Sequence, residues 1–147
     1  MKNNFLFLLI TFHLFSSCSY NRQYQNRKTD KEEAERVTVK LYYLLRDKKY
    51  KESYALFSPR FLEVTDTVKL REIYNVCLEK LGEIKDQSIL SWETNVVEGS
   101  NPKSEYLLIY TVKRSRFEAK ETIRLEKEND TLKIIAYNIQ SKGFETK

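Results

Sequence analysis

The spacing of apolar residues changes once along this chain, close to Gly82. Before that point apolar residues recur at helical spacing, and after it they alternate with polar residues, as in half-buried strands. Helical segments followed by consecutive strands with short connections indicate an α+β domain with an antiparallel meander. We therefore expect N-terminal helices packed on a four-stranded antiparallel sheet.

Three helices are predicted before the change of spacing. The first begins at Asp30, and a short second helix ends at Ser58-Pro59, because a residue before proline avoids helical geometry. Thr65 or Asp66 caps the third helix, which ends at Gly82. The expected inward residues are Ala34, Val37, Leu41, Leu44 and Leu45, then Tyr50, Tyr54 and Phe57, then Leu70, Ile73, Tyr74, Cys77 and Leu81, with Phe61, Leu62 and Val64 packing between the last two helices.

Four strands are predicted after Gly82. The segment from Tyr106 to Tyr110 is apolar at every position, which indicates a central strand covered on both faces. The inward residues expected of the other strands are Leu90, Trp92, Thr94 and Val96 in the first, and Phe117, Ala119, Glu121, Ile123 and Leu125 in the third. In the last strand, Leu132, Ile134 and Ala136 are expected to face away from Ile135, Tyr137 and Ile139.

The N-terminus carries a separate signal. Lys2 precedes an apolar run from Phe5 to Phe15, and two small residues follow, as in a secretory signal peptide. The run is too short to span a bilayer, which takes about 20 residues. The string Phe15-Ser16-Ser17-Cys18 resembles the lipobox of bacterial lipoproteins. That resemblance implies that Cys18 becomes the first mature residue and is acylated; an ordinary signal peptide with a coincidental cysteine is the alternative.

The lipobox divides the chain into a signal peptide at 1–17, a lipidated cysteine and tether at 18–29, and a single α+β domain at 30–147. Two or more acyl chains hold a protein stably at a membrane. Ser19 follows the cysteine, and resemblance to the enterobacterial sorting rule then implies the outer membrane, facing the periplasm. The tether cations Arg22, Arg27 and Lys28 either contact anionic headgroups or are simply solvated.

Loss of residues 1–17 leaves a mature chain without histidine and with 25 basic residues against 21 acidic ones, a net charge of +4. The absence of histidine excludes an imidazole base and a serine or cysteine nucleophile activated by histidine. Cys77 is the one unmodified thiol, which excludes an intrachain disulfide and a cysteine-cluster metal site. We therefore expect no cofactor and no metal, and export argues against nucleic acid as a partner.

Three strings resemble a bacterial family of exported domains of unknown function, whose fold is cystatin-like, of the nuclear-transport-factor-like type. They are Asp47–Tyr54, Leu81-Gly82 followed by Lys85, and Phe117–Ile123 leading on to Tyr137-Asn138-Ile139. The resemblance covers roughly Ala34 to Ile139. It implies an architecture and no established activity.

Glu121 is the one acid on an otherwise apolar strand face. A buried carboxylate is costly unless it is paired or hydrogen-bonded. In one interpretation it is the polar anchor of a pocket between sheet and helices, with hydroxyl partners among Tyr106, Tyr110 and Tyr137. In the other it binds Tyr54 or another helix residue and fixes how the helices sit on the sheet.

These observations favour a non-enzymatic, membrane-anchored envelope lipoprotein that binds a protein partner or a small apolar ligand through the cavity between sheet and helices. The alternatives are an assembly accessory that uses its open sheet face, and a small enzyme with Glu121 as its base; no catalytic residue is assigned. A basic cluster at a hairpin end either contacts anionic lipid or a phosphate-bearing glycan or is a solvated tip, and it consists of Lys113, Arg114 and Arg116.

The lipobox leads to a direct prediction. Replacement of the acyl acceptor, Cys18→Ala, is expected to leave an uncleaved precursor that takes up no labelled fatty acid. The matched control is Cys77→Ala, which keeps the lipobox and should be labelled like the wild type. Equal labelling of the Cys18→Ala variant, or a mature N-terminus at another residue, would contradict the lipoprotein interpretation.

Overall fold

The computed structural model describes residues 20–146, so Cys18 and the predicted signal peptide lie outside the described residues. The elements in chain order are β1 (Asn21–Gln25), α1 (Lys28–Arg46), α2 (Tyr50–Ser53), α3 (Pro59–Val64), α4 (Thr67–Leu81), β2 (Ile84–Gly99), β3 (Lys103–Arg114), β4 (Glu118–Glu128) and β5 (Thr131–Gln140), with 3₁₀ turns at Tyr54–Leu56 and Lys142–Phe144. The predicted α+β class, with helices followed by an antiparallel sheet, is confirmed. No helix within 20–146 is long and apolar enough to span a membrane.

The sheet has five strands in the order β1-β2-β3-β4-β5, whereas the sequence predicted four. The additional strand, β1, comes from the segment predicted to be a tether and pairs antiparallel with β2 from Asn21 opposite Gly99 to Gln25 opposite Asn95. Four of its five residues are exposed. An edge strand of this kind is held by backbone pairing, and its polar side chains leave no apolar alternation to detect.

Arg27 ties β1, α1 and β2 together at this edge. It is the N-cap residue of α1, so the helix begins before the predicted cap at Asp30. Asp30 instead lies inside the first turn, 5% exposed, and accepts hydrogen bonds of 2.8 and 2.9 Å from Arg27. The same guanidinium donates to Glu98 of β2 at 2.9 Å and lies 3.8 Å from the ring centre of Tyr24 in β1.

Helix α4 has the caps that the sequence predicted. The Asp66 carboxylate accepts hydrogen bonds from the backbone N–H groups of Val68 and Lys69, at 2.9 and 2.8 Å. Gly82 ends the helix with φ +85°, and a Cβ there would lie 2.0 Å from the Ser115 hydroxyl oxygen. Both the backbone conformation and the available space therefore require glycine at this position.

One face of the sheet packs against the helices. Strand β3 is central, as predicted, and its buried residues are alternate ones: Ser104, Tyr106, Leu108, Tyr110 and Val112. Leu107 and Ile109 between them are partly exposed, so the prediction that both faces are covered is wrong. Two residues expected to pack inward also point to solvent: Ile73 is 40% exposed and Val64 is 76% exposed.

A β-bulge in β2 changes which side chains face the helices. Ile89 lies opposite Tyr110 and Ser91 lies opposite Ile109, which leaves Leu90 as the extra residue. Leu90 is 60% exposed, contrary to the prediction that it faces inward. An extra residue shifts the alternation of the strand by one position, and Ile89 takes the inward place instead.

Another bulge lies in β5. Leu125 of β4 pairs with Ile134 and its neighbour Arg124 pairs with Ala136, so Ile135 is the extra residue. Past the bulge, Tyr137 lies opposite the fully buried Ile123 and therefore shares its face. The predicted separation of Tyr137 and Ile139 from Leu132 and Ile134 is wrong, because the bulge brings all four to the helix side.

The Arg27–Asp30 pair leads to a prediction about stability. Arg27→Met keeps a long apolar stem but leaves the Asp30 carboxylate, 7% exposed, without its main partner. We expect a loss of about 1–3 kcal/mol in the free energy of unfolding, measured by chemical denaturation. Asp30→Asn should recover part of this loss in the double variant.

The matched control is Lys28→Met, at a cation that is 87% exposed and only 3.7 Å from Glu32. A pair of this kind contributes at most about 0.5 kcal/mol. Equal losses for Arg27→Met and Lys28→Met would show that Arg27 does not organise this edge.

Candidate functional site

Glu121 lies at the centre of a buried polar cluster. It is fully buried on β4, opposite Tyr110 of β3 and Ile139 of β5. Its Oε1 accepts a hydrogen bond of 2.7 Å from Arg114, and its Oε2 accepts hydrogen bonds from the hydroxyls of Tyr42 at 3.2 Å and Tyr137 at 2.5 Å. The donors come from β3, α1 and β5. This single carboxylate on β4 therefore joins helix α1 to its own strand and to both neighbouring strands.

The electrostatics of the cluster keep the donors protonated. Burial, together with the nearby Glu121 charge, raises the pKa values of Tyr42 and Tyr137 far above the usual value of about 10. Burial is the largest single influence on the pKa of Arg114 and lowers it, but the charge and hydrogen bond of Glu121, with Tyr137 and Cys77, together raise it by more, so its net direction is upward. Both hydroxyls and the guanidinium are therefore available to donate at neutral pH.

The structure brings together only some of the residues predicted around Glu121. Tyr137 binds it, whereas Tyr110 shares a hydrogen bond of 2.6 Å with Thr38 and Tyr106 donates to Glu33 at 3.4 Å. Neither of those two hydroxyls contacts the carboxylate. As the structural interpretation expects, a helix residue does contact it, although the residue is Tyr42 and not Tyr54.

Tyr42 was not among the residues predicted to face inward, although its spacing along α1 indicated that it does. It lies four residues after Thr38 and eight after Ala34, on the same stripe of α1, and all three are fully buried. Helix residues at this spacing lie one above another on one face. A stripe that admits Thr38 and Tyr42 among aliphatic residues contains polar groups that need partners across the core.

The three residues of the predicted basic cluster differ in burial and in hydrogen-bond partners. Arg114 is a core residue with a side chain 5% exposed. Arg116 donates to the carbonyl oxygen of Leu78 at 2.8 Å, at the C-terminal end of α4, and Lys113 is exposed. Arg114 is therefore not available to a membrane surface. Its even spacing from Tyr110 in β3 was the signal that it faces inward.

A cavity of about 210 Å³ lies beside this cluster, between the C-terminal ends of α1 and α4 and the sheet. Glu121 does not line it, but its partners Arg114 and Tyr137 do. The aliphatic part of the wall consists of Leu45, Leu78, Ile84 and Ile139. The arrangement is a partly apolar space whose wall also includes the exposed Arg46, Lys48 and Glu83, with an arginine and a tyrosine fixed from behind by a buried carboxylate.

Arg114 has more hydrogen-bond donors than the surrounding protein uses. One Nη2 donor goes to Glu121, and one from Nη1 reaches the carbonyl oxygen of Gly82 at 3.5 Å. Its Nε is buried and has no hydrogen-bond partner among residues 20–146. The Nε–H is enclosed by the protein, but Nη1 and Nη2 each carry a second N–H that could bind an additional acceptor.

Cys77 also lines the cavity, and it is 4% exposed. Burial raises the pKa of its thiol to about 11, so the thiolate is scarce at neutral pH and the residue packs as a small hydrophobe. Among the described residues no group of three His, Cys, Asp or Glu side chains is placed to hold a metal ion.

No protein-family model matches this sequence, and a search of curated proteins finds no match to it. The function of the cluster and the cavity is therefore argued from their own geometry.

The buried cluster predicts a large effect of mutation on stability. Glu121→Gln leaves Arg114 charged and buried without a counter-charge, and Glu121→Ala also removes the acceptors of both tyrosines. Removal of one partner of a buried pair costs about 3–5 kcal/mol, so both variants should unfold at lower denaturant concentration, Ala before Gln. Glu121→Leu combined with Arg114→Met should recover only part of the loss, because the hydroxyls of Tyr42 and Tyr137 remain without their acceptor.

The matched control is Glu118→Gln, an exposed acid on the same strand, with an expected change within about 0.5 kcal/mol. A Glu121→Gln variant as stable as the wild type, or more stable, would contradict the structural interpretation. It would indicate a strained carboxylate retained for function.

Proposed function

We propose that this chain is a non-enzymatic envelope lipoprotein, anchored through Cys18 and most simply placed at the outer membrane, facing the periplasm. Its domain binds a small ligand or a partner's apolar side chain in the cavity between sheet and helices. The observation that carries this proposal is the cavity of about 210 Å³ with Arg114 and Tyr137 in its wall. An apolar space with a few fixed polar groups is the usual form of a small-molecule site.

The fold supports the proposal at the level of architecture. Helices α1 to α4 cover one face of an antiparallel sheet, which is the arrangement expected of a cystatin-like, nuclear-transport-factor-like domain. Strand β1 is an addition at the sheet edge. We assign the chain to that architecture as part of the proposal, on the strings 47–54, 81–85 and 117–123 together with this order of elements.

The surroundings of Glu121 favour binding over catalysis. A general base must come within hydrogen-bond reach of the proton that it abstracts. Glu121 has no exposed surface, does not line the cavity and already accepts hydrogen bonds from three donors. These observations support a carboxylate that positions the wall of a binding site.

An assembly accessory that uses its open sheet face is the second candidate. Leu107, Ile109 and Ile135 are partly exposed on strands whose opposite face packs against the helices. Partly exposed aliphatic residues on an uncovered sheet face suit a protein partner.

Affinity purification of the anchored protein from membranes would separate the two candidates. Leu78→Trp fills the cavity from α4, and Val76→Trp places the same side chain on the same helix outside the cavity wall, at a position 47% exposed. We expect mass spectrometry to find a small molecule or partner that copurifies with the wild type and Val76→Trp and is lost from Leu78→Trp.

The third variant in this comparison is Ile109→Lys, which puts a charge on the open sheet face. A copurifying species that Ile109→Lys removes and Leu78→Trp retains would replace cavity binding with the accessory role. A thermal melt of each variant should first show that it is folded.

A further inference from the structure

We propose that the cavity takes a small organic monocarboxylate, with an apolar body about the size of one ring and its carboxylate directed to Arg114. This inference rests on the proposed function, because it names the ligand class of the same cavity. It follows from the size of the cavity, the unused donors of Arg114 and the balance of charge around them.

The size of the cavity limits the ligand. An apolar cavity of roughly 150 Å³ in a protein core can hold one benzene molecule. The cavity here, at about 210 Å³, has room for a ring of that size with one small substituent. Its aliphatic walls, with Leu45 from α1, Leu78 from α4 and Ile139 from β5, suit the apolar body.

Arg114 is the group deep in the wall with donors to offer, whereas the lining cations Arg46 and Lys48 are exposed to solvent. The Tyr137 hydroxyl donates to Glu121, and the Tyr74 hydroxyl already shares a hydrogen bond of 3.2 Å with Ser53. The bond from Arg114 to the Gly82 carbonyl oxygen, at 3.5 Å, is longer than the usual range for N–H···O and is easily replaced. A carboxylate is the natural acceptor, because its two oxygens match the fork of a guanidinium.

The charges around the cavity favour an anion. The lining cations are Arg46, Lys48 and Arg114, and the lining acid is Glu83, which is 58% exposed and forms an ion pair of 2.9 Å with Lys85. With Glu121 behind the wall and Lys85 beside Glu83 both counted, four cations face two acids. A carboxylate is smaller than a phosphate ester and suits a space with room for one ring and one small substituent.

Two helices end at the cavity, and helix C-termini repel anions. Their carbonyl groups are largely engaged. At the end of α4, the Leu78 carbonyl oxygen accepts from the Arg116 side chain and the Gly82 N–H, and the Leu81 carbonyl oxygen accepts from the N–H groups of Arg116 and Phe117. At the end of α1, the backbone N–H groups of residues 47, 48 and 49 donate to carbonyl oxygens of the last turn, at 2.8 to 3.2 Å. These contacts reduce the negative potential that an incoming carboxylate meets.

Four probes of one shape test the inference: benzoate, benzamide, benzylamine and phenyl phosphate. Each would be titrated into the full chain in zwitterionic micelles while amide chemical shifts are followed by NMR. We expect saturable benzoate binding with shifts confined to the cavity wall, and a Kd at least about tenfold lower than that of each other probe, the change expected from one charge-assisted hydrogen bond.

Arg114→Lys separates the role of Arg114 in binding from its role in the core. Lysine keeps a positive charge for Glu121 but loses the fork, so the Kd for benzoate should rise at least about tenfold. Arg124→Lys, the same substitution at an exposed arginine on the open face of β4, is the matched control and should leave the Kd unchanged. If Arg114→Lys fails to fold, Leu78→Trp, which closes the cavity and spares Arg114, should abolish benzoate binding.

The outcomes distinguish this inference from the proposed function. Benzamide or benzylamine binding as tightly as benzoate would contradict the inference that the ligand is a carboxylate, but it would still support binding in the cavity. Tighter binding of phenyl phosphate would show that the ligand class is a phosphate ester and not a carboxylate. Failure of all four probes to shift the cavity residues would also overturn the inference, and cavity binding would then be decided by the copurification experiment with Leu78→Trp.

Discussion

The packing of this domain depends on one buried ion pair, between Glu121 of β4 and Arg114 of β3, 2.7 Å apart. Two charges leave water on folding, and the cost is offset only when their remaining donors and acceptors are satisfied. The hydroxyls of Tyr42 and Tyr137 donate hydrogen bonds to the other oxygen of the Glu121 carboxylate. Because Tyr42 belongs to α1, the carboxylate is satisfied only when α1 docks in one position on the sheet. The pair therefore specifies the arrangement of the two layers, a role that an apolar residue at position 121 would not have.

The donors that hold Glu121 also form part of the cavity wall. Arg114 and Tyr137 each contact the carboxylate on one side and the cavity on the other. A ligand that binds Arg114 would therefore act on a side chain that the core already holds rigidly, and rigid polar groups bind with little loss of entropy. The structural and functional interpretations of Glu121 are thus compatible, because a carboxylate that holds the core together can also position the groups that would bind a ligand.

Sequence periodicity predicted the features that depend on burial of side chains. It placed helices before an antiparallel sheet, the caps of α4 at Asp66 and Gly82, and the central position of β3. It failed where backbone pairing or a local bulge decides the structure. Strand β1 is polar and exposed, so nothing in its side chains distinguishes it from a tether. Leu90 and Ile135 are extra residues, and one extra residue reverses the alternation on which the prediction of a face depends.

The bulge at Ile135 shows how a single inserted residue makes the site. Without it, Tyr137 would follow Leu132 and Ile134 with odd spacing and would project from the open face of the sheet, away from Glu121. Glu121 Oε2 would then keep only the longer bond from Tyr42, and the cavity would lose both Tyr137 and Ile139 from its wall. The inward acid could be found from the sequence, since it interrupts an apolar face. Its partners could not be found in this way. The inward direction of Tyr137 depends on a bulge in β5, and Arg114 was assigned to a basic hairpin end. Arg114 and Tyr137 thus line the cavity in positions that are fixed by their hydrogen bonds to the buried carboxylate.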